Sequence, residues 1–178
     1  MTDLPPVTDL RHAVVGTPVG DLTVVGGVGP GGFVLTGVYF PGHRYPPSAA
    51  ARGRAAKVHA PESGFEAVRT QLAEYFDGRR TVFELPFATA GPPFYQRVWA
   101  LLRHIPYGST RSYGALARDL GDPRLARAVG TANARNPLSI VVPCHRVVGA
   151  AGTLTGYAGG VDRKAALLAW EQRGAALF

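Results

Sequence analysis

The chain has 178 residues, one cysteine, 19 lysines and arginines against 12 aspartates and glutamates, and a net charge of +7. Such a length buries a sizeable core, while a lone cysteine excludes an internal disulfide and a cysteine-rich zinc site and suits a reducing compartment. The start, MTDLPPVTDLRH, lacks a signal peptide's basic and apolar regions and no segment nears the roughly 18 apolar residues of a membrane span, so a soluble cytoplasmic protein is expected.

The cationic excess favours a polyanionic partner such as nucleic acid, with an anionic membrane surface or plain solubility as the alternatives. Residues 12–40, HAVVGTPVGDLTVVGGVGPGGFVLTGVYF, alternate apolar and polar around Gly-rich turns and predict short antiparallel strands. Residues 42–62, GHRYPPSAAARGRAAKVHAPE, have no usable periodicity and read as a long loop. SGFEAVRTQLAEYFDG (63–78) predicts a helix: Ser63 and Glu66 fit a capping box, Phe65, Val68, Leu72 and Phe76 share one face, and Gly78 ends it. TVFELPF (81–87) reads as a further strand and ATAGPP (88–93) as a linker.

Beyond the linker the pattern turns helical. PFYQRVWALLRHI opens with Pro93 in a first-turn position, stops at Pro106, and carries an apolar stripe of Phe94, Val98, Leu101, Leu102 and Ile105. The expected fold class is α+β, with a strand-rich domain over 1–90 and a mostly helical one over 91–178.

STRSYGALARDLGDPRLARAVGTANARNP (109–137) has helix-turn-helix spacing. Ser112 caps the first helix, Gly121 closes it, and Asp122 with Pro123 opens the second. On the second helix Leu125, Val129 and Ala132 share one face, and Arg124, Arg127, Thr131 and Arg135 another. A solvated amphipathic helix explains that pattern. Yet Ala128, Gly130, Ala132 and Ala134 leave the backbone nearly bare, and a mid-helix Gly costs about 1 kcal/mol relative to Ala. A bare cationic helix suits close approach to DNA, including the narrow minor groove, with little sequence preference.

The apolar run LSIVV (138–142) reads as a buried strand ending at Pro143, which places Cys144 in a turn at the edge of the core. A lone cysteine there is either a small buried apolar residue or a nucleophile, and a free thiol with a pKa of about 8.5 needs a base. His145 is adjacent, but neighbouring side chains in a turn diverge, which routes its contact with the thiol through a water. Glu171, one turn beyond Leu168 in DRKAALLAWEQRG, is placed to hold the imidazole; a solvated glutamate beside Arg173 is the alternative.

With these residues assembled, the chain resembles the O6-alkylguanine-DNA alkyltransferase family, the methylated-DNA-protein-cysteine methyltransferases. PCHRVV (143–148) is similar to the family's active-site signature, FYQRVWALLRHIPYGSTRSYGALA and ARAVGTANARNPLSIVVPCHRVVG to its flanking blocks, and GTPVGDLTVV, more weakly, to its ribonuclease-H-like N-terminal domain. The resemblance implies that Cys144 irreversibly accepts the methyl or alkyl group of O6-alkylguanine in duplex DNA after base flipping, in a single turnover, with O4-methylthymine as a further substrate. It makes His145, a water and Glu171 the relay that ionises Cys144, and Asn136 a link between recognition helix and active-site turn. Arg127 becomes the finger that fills the gap left by the flipped nucleotide. Tyr113 crowds the 3' phosphate and assists protonation of the leaving base. Ser112, Arg124, Ala128, Gly130, Thr131 and Arg135 complete the DNA-binding surface, and Val147, Val148, Tyr157 and Ala158 form the base pocket. Many relatives carry Ser where Ala158 stands; little loss is expected, because the contact there is chiefly a backbone N–H. No cofactor, structural zinc, cysteine-rich regulatory domain or membrane partner is implied, and the acting form is a monomer, with cooperativity along DNA left open.

Three rivals stand beside this reading: a cysteine hydrolase, which would turn over; a helix-turn-helix regulator with a structural or redox-sensing Cys144, which would prefer a DNA sequence; and a lesion-binding protein without transfer activity.

Overall fold

The structure, a computed structural model, describes residues 7–60 and 63–175. The first six residues of the MTDLPPVTDLRH start and the last two of the expected loop lie outside the described residues. Alternation in the N-terminal half produces β1 (Thr8–Val15), β2 (Leu22–Gly29) and β3 (Gly32–Tyr39), an antiparallel meander with Thr23 opposite both Val14 and Tyr39. Residues 42–60 are more ordered than their composition predicts. Ser48 accepts a hydrogen bond from Ala51 N and caps α1 (Ala49–Arg52), and β4 (Arg54–Ala55) then pairs parallel to β1. The turn between them requires Gly53, at φ 68°, because a Cβ there would lie 1.9 Å from Leu10 O. The four strands form one sheet in the order β3-β2-β1-β4, the strand-rich N-terminal half of the expected α+β fold.

Helix α2 (Glu66–Phe76) buries Phe65, Val68, Leu72, Tyr75 and Phe76, each contributing about 1.5–3 kcal/mol. The expected capping box does not form. Ser63 instead accepts from Phe65 N at 3.2 Å, the helix begins at Glu66, and Glu66 pairs with Arg69. The strand expected over 81–87 is also absent. Only Phe87 bridges to Leu35, because Pro86 has no N–H to donate and Val82 is exposed.

The C-terminal half carries α3 (Pro93–Leu102), β5 (Arg111–Ser112), α4 (Tyr113–Asp119), α5 (Ala126–Ala134), β6 (Val147–Val148) and α6 (Val161–Ala175). Ser112 Oγ accepts from Ala115 N to cap α4, and Asp122 caps a 3-10 turn, Pro123–Leu125, that leads into α5. On α3, Val98, Trp99 and Leu102 are buried, whereas Phe94 and Leu101 are half-exposed. The LSIVV run is buried but is not a strand. It winds as a turn, with Val141 N bonded to Ser139 O and Val142 N to Leu138 O, and meets the sheet only where Leu138 bridges to Val38. Ile140 holds φ 71° in that turn, a conformation that costs a β-branched residue of order 1–3 kcal/mol and persists because its side chain is locked in the core. One apolar cluster runs from Val24 and Leu35 of the sheet to Val129, Val142 and Leu167.

Candidate active site

The Leu138–Val142 turn delivers Cys144 into a 3-10 turn, Cys144–Arg146, packed against α3 and α6. Asn136 organises that delivery. Its Nδ2 donates to Val142 O at 2.8 Å and to Cys144 Sγ at 3.0 Å, and its Oδ1 accepts from Leu138 N. It therefore touches the sulfur as well as linking α5 to the turn. Asn133 of α5 donates to Cys144 O at 3.2 Å. Only 3% of Cys144 is exposed, and burial pushes its thiol up, against the Asn136 hydrogen bond and the nearby Lys164 charge, which pull it down. Burial thus favours the resting thiol, which leaves its ionisation to the neighbouring groups.

His145 and Glu171 are fully buried. Burial alone would raise the Glu171 carboxyl, but the His145 hydrogen bond and the hydrogen bonds and charge of Arg146 outweigh it and hold the group far below the carboxylate range. Glu171 is thus an anion that accepts from Tyr75 Oη at 2.7 Å, Gly108 N at 3.1 Å and Arg146 Nε at 2.9 Å. Its Oε1 lies 2.8 Å from His145 Nε2. Since a carboxylate only accepts, Nε2 carries the hydrogen and Nδ1 is a bare acceptor. Burial lowers the imidazole pKa despite Glu171, so the ring rests neutral, and Nδ1 has no hydrogen-bond partner among the described residues. The surface alternative for Glu171 is excluded by its burial.

Lys164, on the buried side of α6, donates to Val147 O at 2.5 Å and Thr155 O at 2.9 Å. Burial lowers its pKa to about 8. Tyr113 lies near both, its hydroxyl 3.4 Å from Thr155 O and Gly156 O, at the weak end for an O–H donor. Tyr157 Oη is buried beside Cys144 without a well-formed hydrogen bond. The Tyr157–Gly160 segment is held from the N-terminal half: Arg44 N donates to Ala158 O, Phe40 meets the Tyr157 ring edge-on at 6.3 Å, and Arg163 donates to Pro41 O. Val147 and Val148 of β6 are both buried, Val147 completely.

On α5, Arg127, Ala128, Thr131 and Arg135 are exposed, opposite buried Val129 and Ala132. Arg124 sits before the helix with its guanidinium on Asp122, and Arg135 stacks on Tyr45 at 3.9 Å. Ser112 spends its oxygen on the α4 cap. A Cβ at Gly130 would meet Tyr113 only at 3.8 Å, so no protein contact demands glycine there. A cleft of about 450 Å³ lined by Val25, Thr36, Tyr39 and Pro137 lies apart from these residues.

A family model for the DNA-binding domain of 6-O-methylguanine DNA methyltransferase matches residues 93–173. A methylated-DNA--protein-cysteine methyltransferase of Mycolicibacterium paratuberculosis is 46% identical over 164 residues, covering 92% of this chain and 93% of its own. The chain belongs to the methylated-DNA--protein-cysteine methyltransferase family. Another such methyltransferase, from Methanosarcina acetivorans, is 47% identical over 65% of this chain and 78% of its own. The fold agrees: the crystal structure of Mycobacterium tuberculosis OGT in complex with DNA is similar with a TM-score of 0.81 and 42% identity, over 92% of this chain and 94% of that one.

Within this methyltransferase fold, the site includes residues the sequence did not single out. Arg146, Lys164, Asn133 and Tyr75 are polar side chains at apolar-stripe positions or beside the motif. Lys164 lies three and four residues before buried Leu167 and Leu168, and Tyr75 three after buried Leu72. A polar residue in phase with an apolar stripe is the signal that would have found them.

Proposed function

We propose that Cys144 takes the alkyl group from O6 of an alkylated guanine extruded from duplex DNA, once per chain, as a DNA-repair methyltransferase. The observation that carries this is the sulfur held by Asn136 beside a neutral His145 whose Nδ1 is bare and whose Nε2–H is committed to Glu171. The Cys144 proton passes through a water to Nδ1, and Glu171 stabilises the imidazolium that forms. The sulfur attacks the alkyl carbon in line, the C–O6 bond breaks with its electron pair on guanine, and Tyr113 relays a proton to the departing base. Lys164, close to Cys144, stabilises the developing thiolate.

Because the sulfur is only 3% exposed, the Tyr157–Gly160 segment yields as the base enters, with Tyr157, Ala158 and Val148 around it. Arg127 fills the gap in the stack, while Ala128, Gly130 and Thr131 bring α5 against the minor groove, flanked by Ser112, Arg124 and Arg135. Residues 1–90 act as the supporting domain and 91–178 as the DNA-binding and catalytic one. The acting unit is a single chain in the cytoplasm, and O4-methylthymine is a second substrate.

The product is a thioether, which offers water no carbonyl to attack. Supplied with excess duplex containing radiolabelled O6-methylguanine, the protein is expected to stop at one transferred methyl per chain. Continued turnover would support a hydrolase and overturn the assignment.

A further inference from the structure

We propose that Tyr75, on α2 of the N-terminal half, is a positioning residue of the thiol-activating relay, holding Glu171 in place against His145 across the boundary between the two halves. This inference rests on the transfer reaction proposed above. Its basis is the sharing of one oxygen: Glu171 Oε1 accepts from Tyr75 Oη at 2.7 Å and lies 2.8 Å from both His145 Nε2 and Arg146 Nη2. Tyr75 is fully buried and comes from an element more than ninety positions away, |i−j| = 96. Its ring is wedged edge-on against Phe76 and Tyr107 and tilted against Phe83, so the hydroxyl has little freedom to leave the carboxylate. A tyrosine at an apolar-stripe position, where phenylalanine would pack as well, is explained by the oxygen rather than by the ring.

The groups facing Glu171 come from every element packed around it: Tyr75 from α2, Tyr107 and Gly108 N from the turn before β5, His145 and Arg146 from the Cys144 turn, with Lys164 acting more remotely on His145. Of the donors to Oε1, Tyr75 and the resting His145 ring are neutral, and Tyr75 is the one that stands outside the proton relay, so it can be removed without changing the charge of the site. Its loss leaves the carboxylate more basic toward the imidazolium and less fixed in position. His145 then protonates at higher pH, and a protonated ring cannot accept the Cys144 proton.

The test is Tyr75→Phe in the full chain, with single-turnover methyl transfer from O6-methylguanine duplex measured across pH at saturating and subsaturating duplex. The acid limb of the maximal rate constant is expected to move up by roughly half a pH unit, and the plateau to fall roughly threefold, with duplex affinity unchanged. A profile that superimposes on that of the unmutated protein overturns the proposal. Loss of folded material lowers the amount transferred but not the pH midpoint, so the midpoint reads positioning apart from stability. Adding Tyr75→Phe to Glu171→Gln is expected to shift the profile no further, and a second shift of the same size also overturns it. If the unmutated protein transfers no methyl at all, the reading of the site fails rather than this one.

Discussion

At the scale of the residue, Glu171 is the group on which the site's charge balance turns. It is the anion that fixes the His145 tautomer and the counter-charge for Arg146, which is only 5% exposed and also donates to Ile105 O at 2.6 Å. Glu171→Gln keeps the shape but leaves a buried guanidinium without its anion, so stability is expected to fall by about 3–5 kcal/mol in urea unfolding, along with transfer. Asn136→Ala removes donors from both Val142 O and Cys144 Sγ; transfer is expected to slow by an order of magnitude or more, about 1.4 kcal/mol for each factor of ten, while duplex affinity is retained. Cys144, His145 and Glu171 were legible because nucleophile, base and carboxylate are rare types in informative places. Arg146 and Lys164 were not, since long cations are ordinarily solvated, and only the tertiary structure shows that backbone carbonyls and Glu171 receive them.

At the scale of the element, α5 separates what the fold needs from what its partner needs. Gly130→Ala meets no protein atom closer than 3.8 Å and replaces a poor helix former with a good one. It should therefore stabilise the fold by up to about 1 kcal/mol in thermal unfolding while weakening duplex binding, because the added methyl lies on the face proposed to approach DNA. Arg127→Ala should weaken binding to lesion duplex roughly tenfold, with a smaller effect on undamaged duplex, because the gap left by the extruded base then has no side chain to fill it. The helix pair was readable from its caps, since Ser112 and Asp122 bond where their sequence positions predict. The 81–87 and 138–142 runs were misread as strands because burial and β-branching are shared by strands and core-lining turns, and only partners distinguish them.

At the scale of the whole molecule, the N-terminal sheet and α2 support the site rather than stand apart from it, through Tyr75 on Glu171, Arg44 on Ala158 and Leu138 bridged to Val38. Burying His145 and Glu171 also sets the response to acid. His145 has its folded pKa below 6.5, so as pH falls through that value the unfolded chain takes a proton the native chain refuses, and stability falls. Glu171 is depressed below 4.5, so its contribution is complete above that value and is lost as pH falls toward its folded pKa. Both act in one direction: urea midpoints are expected to decline from about pH 7 to about pH 5 and more steeply below about pH 4.5, and a midpoint rising with acid would contradict the buried network. The most direct test of the central claim is the intact mass of the protein after incubation with duplex containing O6-methylguanine, followed by peptide mapping. One added methyl per chain, located on Cys144 and absent from Cys144→Ser, is the predicted result; an unchanged mass, or a methyl carried elsewhere, contradicts it.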